Sequence, residues 1–181
     1  MKRLLFILLL LLPCALYAQV LRGKVVKVSD GDTFVLETSS LKRHKIRLYG
    51  IDCPELGQPY GREATMFLTD ALKGKQIQVH VKYKDRYKRH VAIVYVNKKC
   101  INEALLKAGL AWHYTQYDRN KQWSHMEVAA RSQRKGLWKQ LTPESPWAYR
   151  KRANAKKKVA LLTPITRNDI SWVFIRSSPL I

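Results

Sequence analysis

Short alternations of apolar and polar residues fill much of the chain and predict β-strands. They lie at residues 20–28, 33–38, about 44–49, 75–83 and 89–96. Strand side chains alternate between two faces, so each segment can cover one side of a core. The turn Ser29-Asp30-Gly31-Asp32 separates the first two segments, which are therefore predicted to form a hairpin. Gly23 in the first strand is a candidate bulge position.

Helical spacing of apolar residues appears between and after these strands. Helices are predicted over Arg62–Leu72, from about Asn102 to Ala108, and from an N-cap at Asn120 to about Lys135. Residues 143–147 are expected to be extended, and residues 159–181 show no period. Five short strands with a helix after the third fit a five-stranded Greek-key barrel of the OB type. The predicted fold class is α+β, mainly β, with about three helices.

The first 18 residues have the organisation of a secretory signal peptide. Lys2-Arg3 precedes an unbroken apolar run from Leu4 to Leu12, and a small residue, Ala18, ends the segment. The run is too short to span a bilayer, so cleavage after about Ala18 and export to the periplasm or the medium are expected. A buried core helix is the alternative, and lipid attachment at Cys14 stays open. The remaining chain divides into a domain at 19–150 and a tail at 151–181 of unassigned role.

Composition adds a strong positive charge to this picture. The 34 Lys and Arg residues against 13 Asp and Glu give a net charge of +21, or +19 without Lys2 and Arg3. An exported protein this basic is expected to meet a polyanion, which can be nucleic acid, anionic lipid or acidic polysaccharide. No stable membrane insertion is expected after removal of the signal, and the protein is expected to be a monomer. Two cysteines remain, Cys53 and Cys100, and whether they are free or bonded stays open.

The scarce acidic residues concentrate in two short segments. Asp30 and Asp32 lie in the first turn, while Asp52 and Glu55 follow the third strand. Ca²⁺ takes oxygen ligands from carboxylates and backbone carbonyls, so the two segments predict a calcium site if they meet in space. The alternative for Asp30-Gly31 alone is ordinary turn chemistry.

Basic and acidic groups near this site fit phosphodiester chemistry. Glu55 is placed to act on a water as general base or orienting group. Arg47 can present a planar fork to a phosphate, and Arg89 at the start of the fifth strand is the candidate for a second guanidinium. The alternative for Arg89 is one more solvated surface cation.

Ordered motifs along the chain closely resemble the staphylococcal nuclease (thermonuclease) family over roughly residues 20–150. They include Asp30–Thr33, Arg47–Glu55, Gln58–Ala64, Asp85–Arg89, Asn102–Leu105, Gly109–Trp112 and Gly136–Trp138. The resemblance implies an OB-fold nuclease that hydrolyses DNA and RNA with Ca²⁺, cutting the 5′ P–O bond to leave 3′-phosphates.

The resemblance also implies roles for individual residues. It assigns Asp32, Asp52 and the carbonyl of Cys53 to Ca²⁺, Glu55 to the attacking water, and Arg47 and Arg89 to the phosphate. It assigns Arg86 and Tyr87 to a neighbouring phosphate of the nucleotide and Tyr117 to an aromatic contact with the nucleotide.

Three positions depart from the family pattern. Cys53 replaces Thr, Thr115 replaces a second Tyr, and Lys88 replaces a usual Gly. If the turn needs a positive φ at residue 88, Lys is an awkward occupant. The competing function is a catalytically silent barrel that only binds nucleic acid, and a cationic protein for membrane or polysaccharide surfaces is a third alternative. A silent barrel has no need for all five of the residues that the site combines, Asp32, Arg47, Asp52, Glu55 and Arg89.

Overall fold

The computed structural model describes residues 19–162. The predicted signal peptide at 1–18 and the apolar stretch at 172–175 lie outside these residues. The chain divides into two compact units, the first ending at Pro143 and the second beginning at Glu144.

The first unit contains eight strands and three α-helices within its described part. The strands are β1 (Val20–Val28), β2 (Thr33–Thr38), β3 (Arg43–Leu48), β4 (Ile51–Asp52), β5 (Ile77–Lys84), β6 (His90–Val96), β7 (Lys99–Cys100) and β8 (Trp112–His113). The helices are α1 (Gly61–Leu72), α2 (Ile101–Lys107) and α3 (Lys121–Ser132), followed by a 3₁₀ helix at Gly136–Lys139.

Five of these strands close into a barrel. The sheet order is β3-β2-β1-β5-β6-β7, and a further parallel pairing of β3 with β6 joins the two sides. Ile46 lies opposite His90 and Leu48 opposite Ala92 in that closing pair. The helix α1 follows β3 and β4 in the chain. This arrangement confirms the predicted OB-type α+β fold.

Apolar side chains from alternate strand positions fill the barrel. Phe34 and Leu36 of β2, Ile46 of β3 and Val79 of β5 are fully buried. The helix α1 adds Ala64, Leu68 and Leu72, which are spaced so that they share one face. The period-2 and period-3.6 patterns thus meet in one core.

The helix ends follow local chemistry. The side chain of Asn120 accepts a hydrogen bond from the backbone N–H of Gln122, which confirms it as the N-cap of α3. The first residue of α1, Gly61, leaves no room for a side chain, because a Cβ there would lie 1.9 Å from the carbonyl oxygen of Glu55. The predicted bulge is not at Gly23. The register of β1 against β2 shifts between Val25 and Lys27 instead, while Gly23 allows close approach to the backbone of Glu37.

The second unit contains a helix, α4 (Pro146–Leu162). The expectation of an extended chain over residues 143–147 is therefore wrong for Pro146 and Trp147, since Pro146 opens the helix. Proline is well suited to the first turn, where its missing N–H leaves no intrahelical bond unmade. No helix within residues 19–162 combines the length and the apolar character needed to cross a membrane.

Candidate active site

The β1–β2 turn and the end of β3 lie side by side. Thr33 pairs with Arg47 across the β2–β3 ladder. The backbone N–H of Leu48 donates to the carbonyl oxygen of Asp32 at 2.9 Å. The first acidic turn is therefore held beside the third strand, which is the condition under which the two acidic segments can form one site.

Arg47 contacts both of the predicted cation-binding carboxylates. Its Nη1 contacts Oδ1 of Asp32, and its Nη2 donates to Oδ1 of Asp52 at 2.6 Å. The side chains of Asp32 and Asp52 are 3% and 0% exposed, and that of Arg47 is 16% exposed. Burial at this level makes the pairing strong, because charges without partners are very costly away from water. Two acids that lie twenty positions apart thus meet at one guanidinium.

Asp52 is placed by a small second sheet that the sequence did not reveal. β4 pairs with β8, with Ile51 opposite His113 and Asp52 opposite Trp112. Gly50 has a φ of 68°, which allows the chain to turn sharply between β3 and β4. Residues 51 and 52 therefore form an ordered, paired segment directly after β3.

Cys53 connects the two acidic segments through both its backbone and its side chain. Its N–H donates to Oδ2 of Asp32 at 2.9 Å, and its Sγ lies 3.3 Å from the carbonyl oxygen of Gly31. Burial raises the pKa of the Cys53 thiol, a shift that the charge of Arg47 opposes. The thiol is neutral at physiological pH. Cys53 and Cys100 are both free.

Glu55 lies in the loop that leads into α1. Its backbone N–H donates a hydrogen bond to Oε1 of Gln58 at 2.9 Å. The N–H of Gln58 donates back to the Glu55 carbonyl at 2.8 Å. This turn fixes the backbone of Glu55, whose side chain is half-buried.

Arg89 is held by an acid four residues earlier. Its Nε donates to Oδ2 of Asp85 at 2.7 Å, and its N–H donates to Oδ1 of the same residue at 2.9 Å. Burial raises the pKa of Asp85, but the hydrogen bonds and charge of Arg89 outweigh it, so the pKa lies below its ordinary value. Lys88 between them has a φ of 62°, so the position does require the left-handed region that the family's Gly adopts freely.

The predicted nucleotide-contacting residues Arg86 and Tyr87 lie in the same turn. The guanidinium carbons of Arg86 and Arg89 lie 4.9 and 5.4 Å from the centroid of the Tyr87 ring. The Tyr87 side chain is highly exposed. A ring that contacts two cations orients both guanidinium groups without burying them.

Tyr117 is exposed and joins an aromatic group whose other members sequence reasoning missed. Tyr49 donates its hydroxyl to the carbonyl oxygen of Tyr117 at 3.0 Å, and the ring of Tyr83 lies 6.3 Å from that of Tyr49. Burial raises the pKa of Tyr83. The neighbouring Tyr117 and Asp85 raise this pKa further, and the positive charge of Arg47 opposes the shift. Tyr49 thus links the ring of Tyr83 to the backbone of Tyr117.

Asn102 is a second residue whose contribution the sequence did not reveal. Its fully buried amide accepts a hydrogen bond from the N–H of Val94 at 3.0 Å and donates to the carbonyl of Tyr49 at 2.9 Å. These contacts fix the end of β3 to β6. The amide can make both bonds at once, since it carries a donor and an acceptor. The family motif contained Asn102, but its position in a helix start gave no sign of this role.

The donor set of the Asp32–Asp52 pair suits a hard cation. Two buried carboxylates share one guanidinium, and Asp30 and Glu55 are close enough to influence the Cys53 thiol. The carboxylates in this region therefore outnumber the one guanidinium group of Arg47. No group of three or more His, Cys, Asp or Glu side chains with metal-site geometry occurs in the part of the chain that the structure describes. A cation here would therefore need backbone oxygen and water besides the two carboxylates, as Ca²⁺ sites allow.

Comparisons with known proteins point to one family. A family model described as staphylococcal nuclease homologue matches residues 45–140. The chain is 44% identical over 119 residues to a staphylococcal-like nuclease of Arabidopsis thaliana, covering 66% of this chain and 37% of the relative. It is 38% identical over 128 residues to an uncharacterized endonuclease of Haemophilus influenzae, covering 71% and 72% of the two chains. An uncharacterized endonuclease of Escherichia coli is 38% identical over 133 residues, with 73% and 86% covered.

The extent of these matches differs between plants and bacteria. The chain spans about a third of the length of the plant relatives that it matches. It spans most of the two bacterial relatives. Arg47, Asp52, Glu55 and Arg89 all lie within the matched family segment, while Asp32 precedes it.

Proposed function

The chain belongs to the staphylococcal nuclease family, and from this premise we propose that it is an exported, Ca²⁺-dependent endonuclease. Its substrates are DNA and RNA, which it hydrolyses with little sequence specificity at the 5′ P–O bond, leaving 3′-phosphates. The protein acts as a monomer.

One observation supports this proposal above the others. Arg47 lies between the two buried carboxylates of Asp32 and Asp52. Arg47 of β3 pairs with Val91 of β6, and Arg89 directly precedes β6, so the two arginines come from adjoining segments of the barrel. Phosphoryl transfer depends on charge stabilisation and positioning more than on covalent chemistry, and this set of groups supplies both.

Each residue then has a distinct task. Arg47 and Arg89 donate hydrogen bonds to the non-bridging oxygens of the scissile phosphate and stabilise the negative charge that develops there. Glu55 accepts a proton from the attacking water, or orients that water, on the side opposite the leaving 5′-oxygen. Arg86 and Tyr87 bind the neighbouring phosphate, and Tyr117 packs on the nucleotide.

Asp32, Asp52 and the carbonyl of Cys53 would hold the Ca²⁺ ion. Bound there, the ion supplies positive charge to a phosphate oxygen and polarises water. The neutral Cys53 thiol takes no part, because a soft sulfur donor suits Ca²⁺ poorly.

The alternative is a silent barrel that binds nucleic acid without cutting it. The basic surface and exposed tyrosines would serve binding equally well. Such a barrel would have no reason to bury two carboxylates beside one arginine, since buried charges are costly to retain. We therefore favour the enzyme.

A plasmid assay tests the proposal. Supercoiled DNA should be nicked in the presence of Ca²⁺ and remain intact with a chelator. Glu55→Gln should lose about two to four orders of magnitude in rate, while Glu63→Gln, an exposed acid in the first turn of α1, should nick at the wild-type rate. Intact plasmid with the wild-type protein and Ca²⁺, despite measurable DNA binding, would instead support the silent barrel.

Export is tested separately from catalysis. The full chain expressed in a bacterial host should yield a mature protein that begins near residue 19 and is found outside the cytoplasm. An uncleaved cytoplasmic product would contradict export and leave the catalytic proposal intact.

A further inference from the structure

The helix α4 carries a concentration of positive charge that the proposed active site does not use. Six of the nine residues from 150 to 158 are Lys or Arg, and no acidic residue occurs from 145 to 162. Arg152 is bound by Glu144 through two hydrogen bonds, at 3.0 and 2.7 Å. Lys151, Lys157 and Lys158 are exposed and form no ion pair within the part of the chain that the structure describes. The family match ends at residue 140, before this helix begins.

The cations surround α4 in three pairs. At about 100° per residue, residues spaced four or seven apart share a side of the helix. Arg150 and Lys157 therefore share one side, Lys151 and Lys158 the next, and Arg152 and Lys156 the third. Charges of one sign this close together repel one another and destabilise an isolated helix. A polyanion that lies along α4 would remove that repulsion.

We propose that α4 is a docking arm that binds the phosphate backbone of double-stranded nucleic acid apart from the catalytic residues. This inference rests on the proposed function, in which nucleic acid is the substrate. The arm adds affinity for long polymers and takes no part in the cleavage step.

The distribution of charge favours nucleic acid over a membrane surface. A helix that lies on a bilayer needs one cationic face and one apolar face. On α4 the cations occupy three sides, and the apolar residues between them form only narrow stripes, such as Ala148, Ala155 and Val159, and not one broad face. The major groove of a duplex is about 12 Å wide and admits an α-helix with a row of phosphates on each flank. A helix of 17 residues is about 25 Å long, and two of its cationic sides, about 100° apart, can face the two strands.

Binding of a fluorescent 24-base-pair duplex, measured by anisotropy in chelator, tests the arm without cleavage. The test variant of the full chain is Lys151→Gln, Lys157→Gln and Lys158→Gln, because glutamine keeps helix propensity while removing charge. The control, Lys24→Gln, Lys42→Gln and Lys73→Gln, removes the same charge from exposed positions of the first unit.

The arm predicts a difference between these two variants. The α4 variant should bind at least about tenfold more weakly at moderate salt, and its plot of log affinity against log salt should be shallower by about three, one unit for each lost phosphate contact. The control variant should lose much less. Equal losses in both variants, or none in the α4 variant, would overturn the proposal.

Two further measurements separate the possible outcomes. Phosphatidylglycerol vesicles serve as the membrane probe, and an α4 variant that loses vesicle binding while keeping duplex binding would overturn the proposal in favour of a membrane arm. If the wild-type protein binds duplex through α4 but never nicks plasmid, the docking arm stands and the proposed activity fails. If the wild-type protein nicks plasmid while the α4 variant binds duplex normally, the proposed activity stands and the docking arm fails.

Discussion

Removing the charge of Arg47 should lower the stability of the barrel more than removing the charge of any exposed Lys or Arg. In Arg47→Met the aliphatic stem remains, so the change isolates the guanidinium from its packing. Asp32 and Asp52 would then face each other as buried carboxylates, with side chains 3% and 0% exposed. Breaking a buried ion pair by removing one partner costs about 3–5 kcal/mol. For a domain of this size the cost corresponds to a fall in Tm of about 10–20 °C.

The matched control is Arg43→Met. Arg43 donates to Glu37 at 2.8 Å, but its side chain is 70% exposed. An exposed pair of this kind contributes about 0–1 kcal/mol, so the control should shift the Tm by at most a few degrees. Thermal unfolding followed by circular dichroism measures both variants. If the Tm of Arg47→Met falls no further than that of Arg43→Met, the guanidinium of Arg47 does not offset the cost of burying the two carboxylates.

Calcium extends this test to the proposed cation site. In chelator the two acids of Arg47→Met have no cation between them, whereas millimolar Ca²⁺ can replace the missing charge. A ligand that binds only the folded state raises its stability by mass action. Ca²⁺ should therefore raise the Tm of Arg47→Met more than that of the wild type. Equal shifts would show that the ion does not bind at these carboxylates.

Three further predictions follow from other parts of the structure. Lys88→Gly should raise the unfolding free energy by about 0.5–1 kcal/mol, because Lys88 occupies a positive φ; Lys88→Val should lower it in the same denaturant titration. Burial, together with the charge of Lys84, holds the pKa of His90 below its ordinary value. The neutral ring therefore contributes its full stability above about pH 6.5, and this contribution is lost as the pH falls through the lower pKa of the folded state. His90→Phe should therefore flatten the decline in stability between about pH 6.5 and 5, and an unchanged decline would assign it to other groups. Nicking at limiting DNA concentration should fall at least about tenfold between about 50 and 200 mM salt, whereas a salt-independent rate would contradict phosphate contacts by the basic surface.

Local patterns in the sequence predict most of the barrel. The strands alternate with period two, and this pattern predicts which face of each strand is buried. The Asp30-Gly31 turn predicts the first hairpin. The sequence brings Asp32 and Asp52 together only on the condition that their segments meet in space, and it does not show the β4–β8 pair that places Asp52. The resemblance to the nuclease family fixed the same residues independently. Their catalytic roles stay predictions until the variants are measured.

Other features depend on contacts that no local pattern encodes. The β4–β8 pair consists of two residues on each side, too short for any period to appear. Alternation along β5 places Tyr83 on the core-facing side with Val79 and Val81, but a register shift between Val81 and Tyr83 leaves its side chain exposed. The helix α4 was missed because its cations and apolar residues surround it evenly, which removes the amphipathic signal by which helices are recognised.

The pairing of β4 with β8 has a consequence for synthesis. Asp52 is fixed by residues 112–113, some sixty positions later, so a nascent chain that has produced β1, β2 and β3 still lacks the support for one of its two acids. Proteins are made from the N-terminus, and domains fold as units once enough chain has emerged. The proposed active site therefore stays incomplete until residues 112–113 have left the ribosome.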